Sequence, residues 1–150
     1  MFRGTFEHTI DDKGRVSVPA RFREALLASN DDRVIITNFR IESSRCLDVY
    51  TVAAWQELEG LLREKAQFDP GIMRFEHYYV ASAHDCVIDK QGRILLPPNL
   101  RQYAGLNRDV VFTALLGKFR IWDREQWKRV FDDAERALME RPQDLTALGI

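Results

Sequence analysis

Ile10-Asp11-Asp12-Lys13-Gly14-Arg15-Val16-Ser17-Val18-Pro19 returns 78 positions later as Ile88-Asp89-Lys90-Gln91-Gly92-Arg93-Ile94-Leu95-Leu96-Pro97. Phe22-Arg23 meets Leu100-Arg101 at the same offset. Val34-Ile35-Ile36-Thr37 matches Val110-Val111-Phe112-Thr113 at 76, and Val49-Tyr50-Thr51 with Trp55 matches Ile121-Trp122-Asp123 with Trp127 at 72. Landmarks kept in one order over two stretches mark a duplicated unit. The falling offset predicts extra loop in the first copy around Ile41 to Arg45.

Each unit reads as hairpin, short helix, hairpin. Runs at Glu7 to Asp11 and Arg15 to Val18 flank Asp12-Lys13-Gly14, and runs at Val87 to Asp89 and Arg93 to Leu96 flank Lys90-Gln91-Gly92. Gly14 and Gly92 supply the positive φ that a tight turn requires. Pro19 and Pro97 stop strand pairing and open helices over Ala20 to Leu26 and Pro98 to Tyr103. Second strand pairs follow, Val34 to Asn38 with Cys46 to Tyr50 and Val110 to Leu115 with Phe119 to Trp122.

Thr51 and Asp123 are N-caps of longer helices with apolar stripes, Val52, Trp55, Leu58, Leu61 and Leu62 in one and Trp127, Val130, Phe131, Ala134 and Leu138 in the other. Both stripes are expected to be buried. Asp69-Pro70-Gly71 ends the first helix and caps another from Ile72 to about Tyr79, and the tail from Arg141 is expected to fray. The boundaries are 5–52 for the first repeat, 53–80 for a helical linker, 81–124 for the second repeat and 125–150 for the C-terminal helix and tail.

A unit made largely of two hairpins cannot bury both sheet faces alone. The expected fold is therefore α+β, a pseudo-two-fold β-barrel whose single core is built from both repeats, with flanking helices.

At 45% hydrophobic and 30% charged residues, the 150-residue chain has the composition of a globular protein and excludes wholesale disorder. No apolar run reaches the roughly 18 residues of a membrane helix, and the N-terminus lacks a signal peptide's apolar stretch. Cys46 and Cys86 lack zinc-site spacing and are too few for a disulfide scaffold, which fits a reducing cytoplasm. The net charge of −1 gives no bulk basic signature, so contact with nucleic acid has to come from local charge. Of the 22 basic residues, 17 are Arg and 5 Lys, a choice that suits phosphate or guanine recognition and also ordinary ion pairs.

The Asp-x-x-Gly-Arg turn followed by apolar residues and a Pro resembles the SpoVT-AbrB family of swapped-hairpin barrels. Two such units in one chain, opening with Met1-Phe2-Arg3-Gly4, are similar to tandem members of that family over residues 1 to 140. The resemblance implies a bacterial transcriptional regulator of the division and cell-wall gene cluster, located in the cytoplasm at the nucleoid. It also implies a ring-shaped homo-oligomer that binds repeated sequences in double-stranded promoter DNA. Carried over by position, the DNA-binding residues are Arg15, Lys13 and Arg3 in the first copy and Arg93, Lys90 and Gln91 in the second. Lys13 becomes Gln91, Arg21 becomes Asn99 and Ala20 becomes Pro98, so the second copy is expected to contribute less.

A two-stranded ribbon fits the major groove, about 12 Å wide, and an Arg just after the turn can fork onto guanine O6 and N7 or onto a phosphate. Asp11 and Asp89 would be repelled by DNA, and are read with Gly14 and Gly92 as structural: they accept turn amides or hold the arginines. Arg21 and Arg23 either touch phosphate or pair with surface acids such as Glu24, the second reading being favoured.

Other chemistry finds little support. Trp55, Trp122 and Trp127 recur with apolar neighbours and read as packing rather than base stacking. His77, His84, Asp85 and Cys86 lack metal-ligand spacing, and no phosphate loop or nucleophile elbow is present. The expectation is no metal, no cofactor, no small-molecule substrate, no membrane partner and no catalysis. The alternative reading is an antitoxin-like DNA-binding and protein-interaction module of the same fold.

Overall fold

The computed structural model describes residues 2–65 and 68–150. The fold is mixed helix and sheet. In chain order the elements are β1 (Thr5–Thr9), β2 (Arg15–Ser17), α1 (Ala20–Leu27), β3 (Arg33–Ile41), β4 (Ser44–Thr51) and α2 (Val52–Glu64). Next come α3 (Pro70–Phe75), which runs into a π-helical turn at Glu76–Val80, then β5 (His84–Val87), β6 (Arg93–Leu95) and α4 (Pro98–Tyr103). The chain closes with β7 (Asp109–Leu115), β8 (Lys118–Asp123), α5 (Arg124–Glu140) and α6 (Gln143–Ala147).

β3 and β4 pair within the first half and β7 and β8 within the second, while β1, β2, β5 and β6 pair across the halves. Six form one antiparallel sheet in the order β1-β7-β8-β4-β3-β5, and β2 pairs only with β6. The expected hairpins around Gly14 and Gly92 therefore exist as turns but not as ladders. Single bridges, Ile10 to Val16 and Ile88 to Ile94, tie each turn's flanks together. Beyond them β1 leaves for β7, with Thr9 opposite Asp109, while β5 leaves for β3, with Val87 opposite Arg33. Residues related by the sequence offset face each other where the halves meet: Val16 opposite Ile94, and Asp48 opposite Arg120.

The extra residues of the first copy extend its strands rather than its loop. β3 and β4 continue to the pair Ile41–Ser44 around Glu42-Ser43, as β7 and β8 close at Leu115–Lys118 around Leu116-Gly117. Both turns are two residues long, with Glu42 and Leu116 at φ +54° and +59°, the left-handed conformation of tight hairpins.

One core receives side chains from both halves, including Phe2, Val18, Phe22, Leu96, Phe112 and Phe119. Val16 and Ile94, essentially inaccessible, anchor the β2–β6 ribbon to it; full burial of such a side chain contributes roughly 1.5–3 kcal/mol. A second cluster of Ile35, Trp55 and Tyr79 seats α2 and the π-helical turn on β3 and β4. At its edge the fully buried Asp48 is held by Lys118 Nζ at 3.0 Å and Arg120 Nε at 2.7 Å, with the Tyr79 hydroxyl donating to it. Burial, and then the Asp48 carboxylate, push the Tyr79 hydroxyl up in pKa, so it stays a donor.

Thr51 and Asp123 cap α2 and α5 as expected, accepting from Ala54 N and Glu125 N, and Asp69 caps α3. Three expectations fail. The α2 stripe is covered only in part, with Trp55 buried and Leu61 56% exposed. The α5 stripe is not buried: Phe131 is 53% exposed and no residue of the helix is in the core, because amphipathic spacing shows that a face is apolar without saying what covers it. The tail forms α6 where fraying was expected, its last turn closed by Ile150 N donating to Leu145 O at 3.1 Å.

Candidate nucleic-acid interface

One carboxylate builds each turn. Asp11 Oδ1 accepts from the backbone N–H groups of Lys13 and Arg15, both at 2.9 Å, and Oδ2 accepts from Arg15 Nε at 2.7 Å. Asp89 does the same for Gln91 N and Arg93 N, both at 2.9 Å, and for Arg93 Nε at 3.0 Å. Backbone bonds close both loops, Gly14 N to Asp11 O at 3.0 Å and Gly92 N to Asp89 O at 2.9 Å. Gly14 and Gly92 take φ of +86° and +77°. Hydrogen bonds from the Arg15 backbone and then its side chain hold the Asp11 carboxyl down to about 2, and those from Arg93 lower Asp89 as well.

Both arginines are thereby gripped through Nε. Among the described residues neither gives its terminal nitrogens to a protein acceptor, which leaves the outer fork of each guanidinium open. Arg15 lies opposite Leu95 and Arg93 opposite Ser17 on the β2–β6 ribbon. Since Val16 and Ile94 point inward, the pleat turns Arg15, Ser17, Arg93 and Leu95 outward together. The two arginines are diagonal neighbours, with backbones roughly 7–8 Å apart. Their side chains are 31% and 29% accessible, part-ordered before any ligand arrives.

The structure gathers Lys13 on the first turn and Lys90 and Gln91 on the second, all exposed beside that face. Arg3 lies elsewhere: β1, about 17 Å of extended chain, separates it from the first turn, and it lines a surface groove with Arg21 and Glu24. The favoured surface pairing of Arg21 and Arg23 does not occur, since among the described residues neither forms an ion pair within 4.0 Å.

Arg23 and Arg101 hold positions that the sequence did not reveal. A Cβ on Gly14 would lie 2.8 Å from Arg101 Nη1, and one on Gly92 would lie 2.6 Å from Arg23 Cδ. Each guanidinium therefore lies against the other half's turn. Leu95, 60% exposed on the ribbon, and the shoulder residues Arg108 and Asp32 were also missed. An apolar residue alternating with buried ones betrays Leu95; nothing local betrays the other two.

The sequence that builds this geometry matches a known family. The family model described as "MraZ protein, putative antitoxin-like" matches residues 1–70 and 80–148. The chain belongs to the MraZ family. Its similarity extends to the transcriptional regulator MraZ of Desulforapulum autotrophicum, 42% identical over 93% of this chain and 88% of that protein. The transcriptional regulator MraZ of Desulfitobacterium hafniense is 41% identical over the whole of both chains. That of Shewanella denitrificans is 35% identical over 98% and 94%. In this MraZ-family chain, no helix among the described residues is long and apolar enough to cross a membrane. No three His, Cys, Asp or Glu side chains among them gather as a metal site.

Proposed function

We propose that this chain is a DNA-binding transcriptional regulator and that its reading surface is the β2–β6 ribbon. The observation that carries this is the pair of Nε-clamped arginines, Arg15 and Arg93, turned outward on one narrow ribbon with their terminal nitrogens open. A fork fixed before contact loses less rotamer entropy on binding, and its planar donors match guanine O6 and N7 or a phosphate. Lys13, Lys90 and Gln91 flank it at the tips and contact the backbone of the duplex, while Asp11 and Asp89 hold the arginines. Arg3, set apart, meets DNA only where the duplex runs on past α1.

The exchange of β1, β2, β5 and β6 between the halves supports reading the fold as a swapped-hairpin barrel of two tandem repeats, 5–52 and 81–124, joined by the linker 53–80 and followed by 125–150. The uncovered stripe of α5 supports self-association, in this proposal as a ring of copies. A ring places several ribbons on repeated promoter sequences and raises their effective concentration. The regulated genes are those of the division and cell-wall cluster, and the protein acts in the cytoplasm at the nucleoid, without catalysis. The same stripe favours the second reading, an antitoxin-like module whose α5 docks a partner protein.

Binding of wild type, Arg15→Ala and Arg93→Ala to repeat-bearing and scrambled duplexes across a salt series tests the proposal. Loss of one bidentate contact costs about 1–3 kcal/mol, roughly tenfold to a hundredfold per ribbon. Arg15→Ala should fall in that range and Arg93→Ala below it. Wild type should prefer the repeats and weaken steeply with salt. Arg15→Ala binding like wild type would sink the assignment.

A further inference from the structure

We propose that Arg23 and Arg101 are positioning residues for the DNA-binding turns, each acting on the turn of the opposite half; this rests on the reading of the ribbon given above. Arg101 leaves α4, just after β6, and its guanidinium occupies the space a side chain at Gly14 would fill. Arg23 leaves α1, just after β2, and both its stem and its guanidinium pack against Gly92. Backbone bonds follow the same crossing: Leu96 N donates to Gly14 O at 3.0 Å, and Val18 N to Gly92 O at 2.9 Å. Each turn is thus floored by the strand end and helix of the other half.

Neither arginine is committed to an acid within 4.0 Å among the described residues. Arg23 Nε is buried with no hydrogen-bond partner. A guanidinium spent on an ion pair would be neutralised and tethered to it. These two are free of such a tether and press against turn backbone, where they fix the loop. Gly14 and Gly92 are then required twice, by their positive φ and by the arginine against each. Because the support crosses, loss of Arg101 disables the turn of Arg15, and loss of Arg23 disables the turn of Arg93.

Double-mutant cycles on the full chain separate this from a direct DNA contact and from a general scaffold role. Anisotropy with repeat-bearing duplex across a salt series should show Arg101→Ala costing about tenfold in wild-type and Arg93→Ala backgrounds, and under about threefold once Arg15 is already Ala. Arg23→Ala should couple to Arg93→Ala in the mirror pattern. Arg101→Lys should recover part of the loss, and the salt slope should stay unchanged, whereas a lost phosphate contact lowers it by about 1.

Equal coupling of Arg101 to both turns, or a slope lowered by one, would overturn the proposal. Amide spectra of Arg101→Met, which keeps most of the stem and requires no DNA, should shift Asp11 to Arg15 and spare Asp89 to Arg93. The reverse pattern, or equal shifts, also overturns it. If wild type fails to bind the repeats while the crossed amide shifts appear, the reading of the ribbon has failed and the crossed support has not.

Discussion

The turn at Asp11–Arg15 and the turn at Asp89–Arg93 share one backbone and carry different charges. Their carboxylate bonds agree to within a few tenths of an ångström, 2.9, 2.9 and 2.7 Å against 2.9, 2.9 and 3.0 Å. At the tips, Asp12-Lys13 sums to zero and Lys90-Gln91 to +1, so the second tip is the more positive by one charge. The shoulders reverse that contrast. Ile10 N donates to Arg108 O at 2.8 Å, and Ile88 N to Asp32 O at 2.7 Å, which puts a cation beside one turn and an anion beside the other. Geometry is the invariant of this duplicated surface, and its electrostatics are free to diverge.

The glycines give the largest expected effect after loss of Arg15. Gly14→Ala and Gly92→Ala each force a side chain into the left-handed region, at about 1–2 kcal/mol before any clash. The added methyl at Gly92 meets the Arg23 stem, whereas at Gly14 it meets only the far end of Arg101. Thermal melts should therefore place Gly92→Ala below Gly14→Ala, by roughly 2–4 °C per kcal/mol for a chain of this size. The opposite order would mean that the Arg101 contact is the more rigid.

A smaller effect tests the shoulders. Asp32→Arg should tighten the DNA binding that remains in Arg15→Ala by about threefold and steepen its salt slope, and Arg108→Asp should weaken wild type comparably. If both leave affinity and slope unmoved, the tips alone set the difference between the turns.

The smallest effect is spectroscopic. A carbon-13 titration should place the Asp11 carboxyl at about 2 against the ordinary 3.8, and Arg15→Ala should return it upward. A carboxyl depressed on folding contributes stability that is complete above its unfolded value and is lost as pH falls through the folded one. The Asp11 contribution thus disappears between about 3.8 and about 2, and Asp11→Asn should remove that part of the acid-unfolding curve. An ordinary midpoint would mean that the Arg15 clamp is open in solution.

Much of this was legible in the chain. Caps at Thr51, Asp69 and Asp123, the helix at Pro98–Tyr103 and the strands around Ile36 and Phe112 follow from local rules, because their determinants lie within a few residues. The partners of β1 and β2 did not follow: alternation marks a strand and its buried face, while the strand it joins is chosen by the whole core. Arg23 looked like a surface residue for the same reason, since the backbone it rests on lies in the other repeat. The carboxylate clamps on Arg15 and Arg93 were legible because Asp, turn and Arg sit within five residues.

Thr5 finds its place opposite Thr113, and Arg33 opposite Val87. During synthesis the N-terminal half leaves the ribosome with those ladders, and the partner of β2, not yet made. Pairings this distant in sequence are slow to close, and nascent segments waiting for them expose bare edges and apolar faces. The fold therefore closes only when most of the chain has been made.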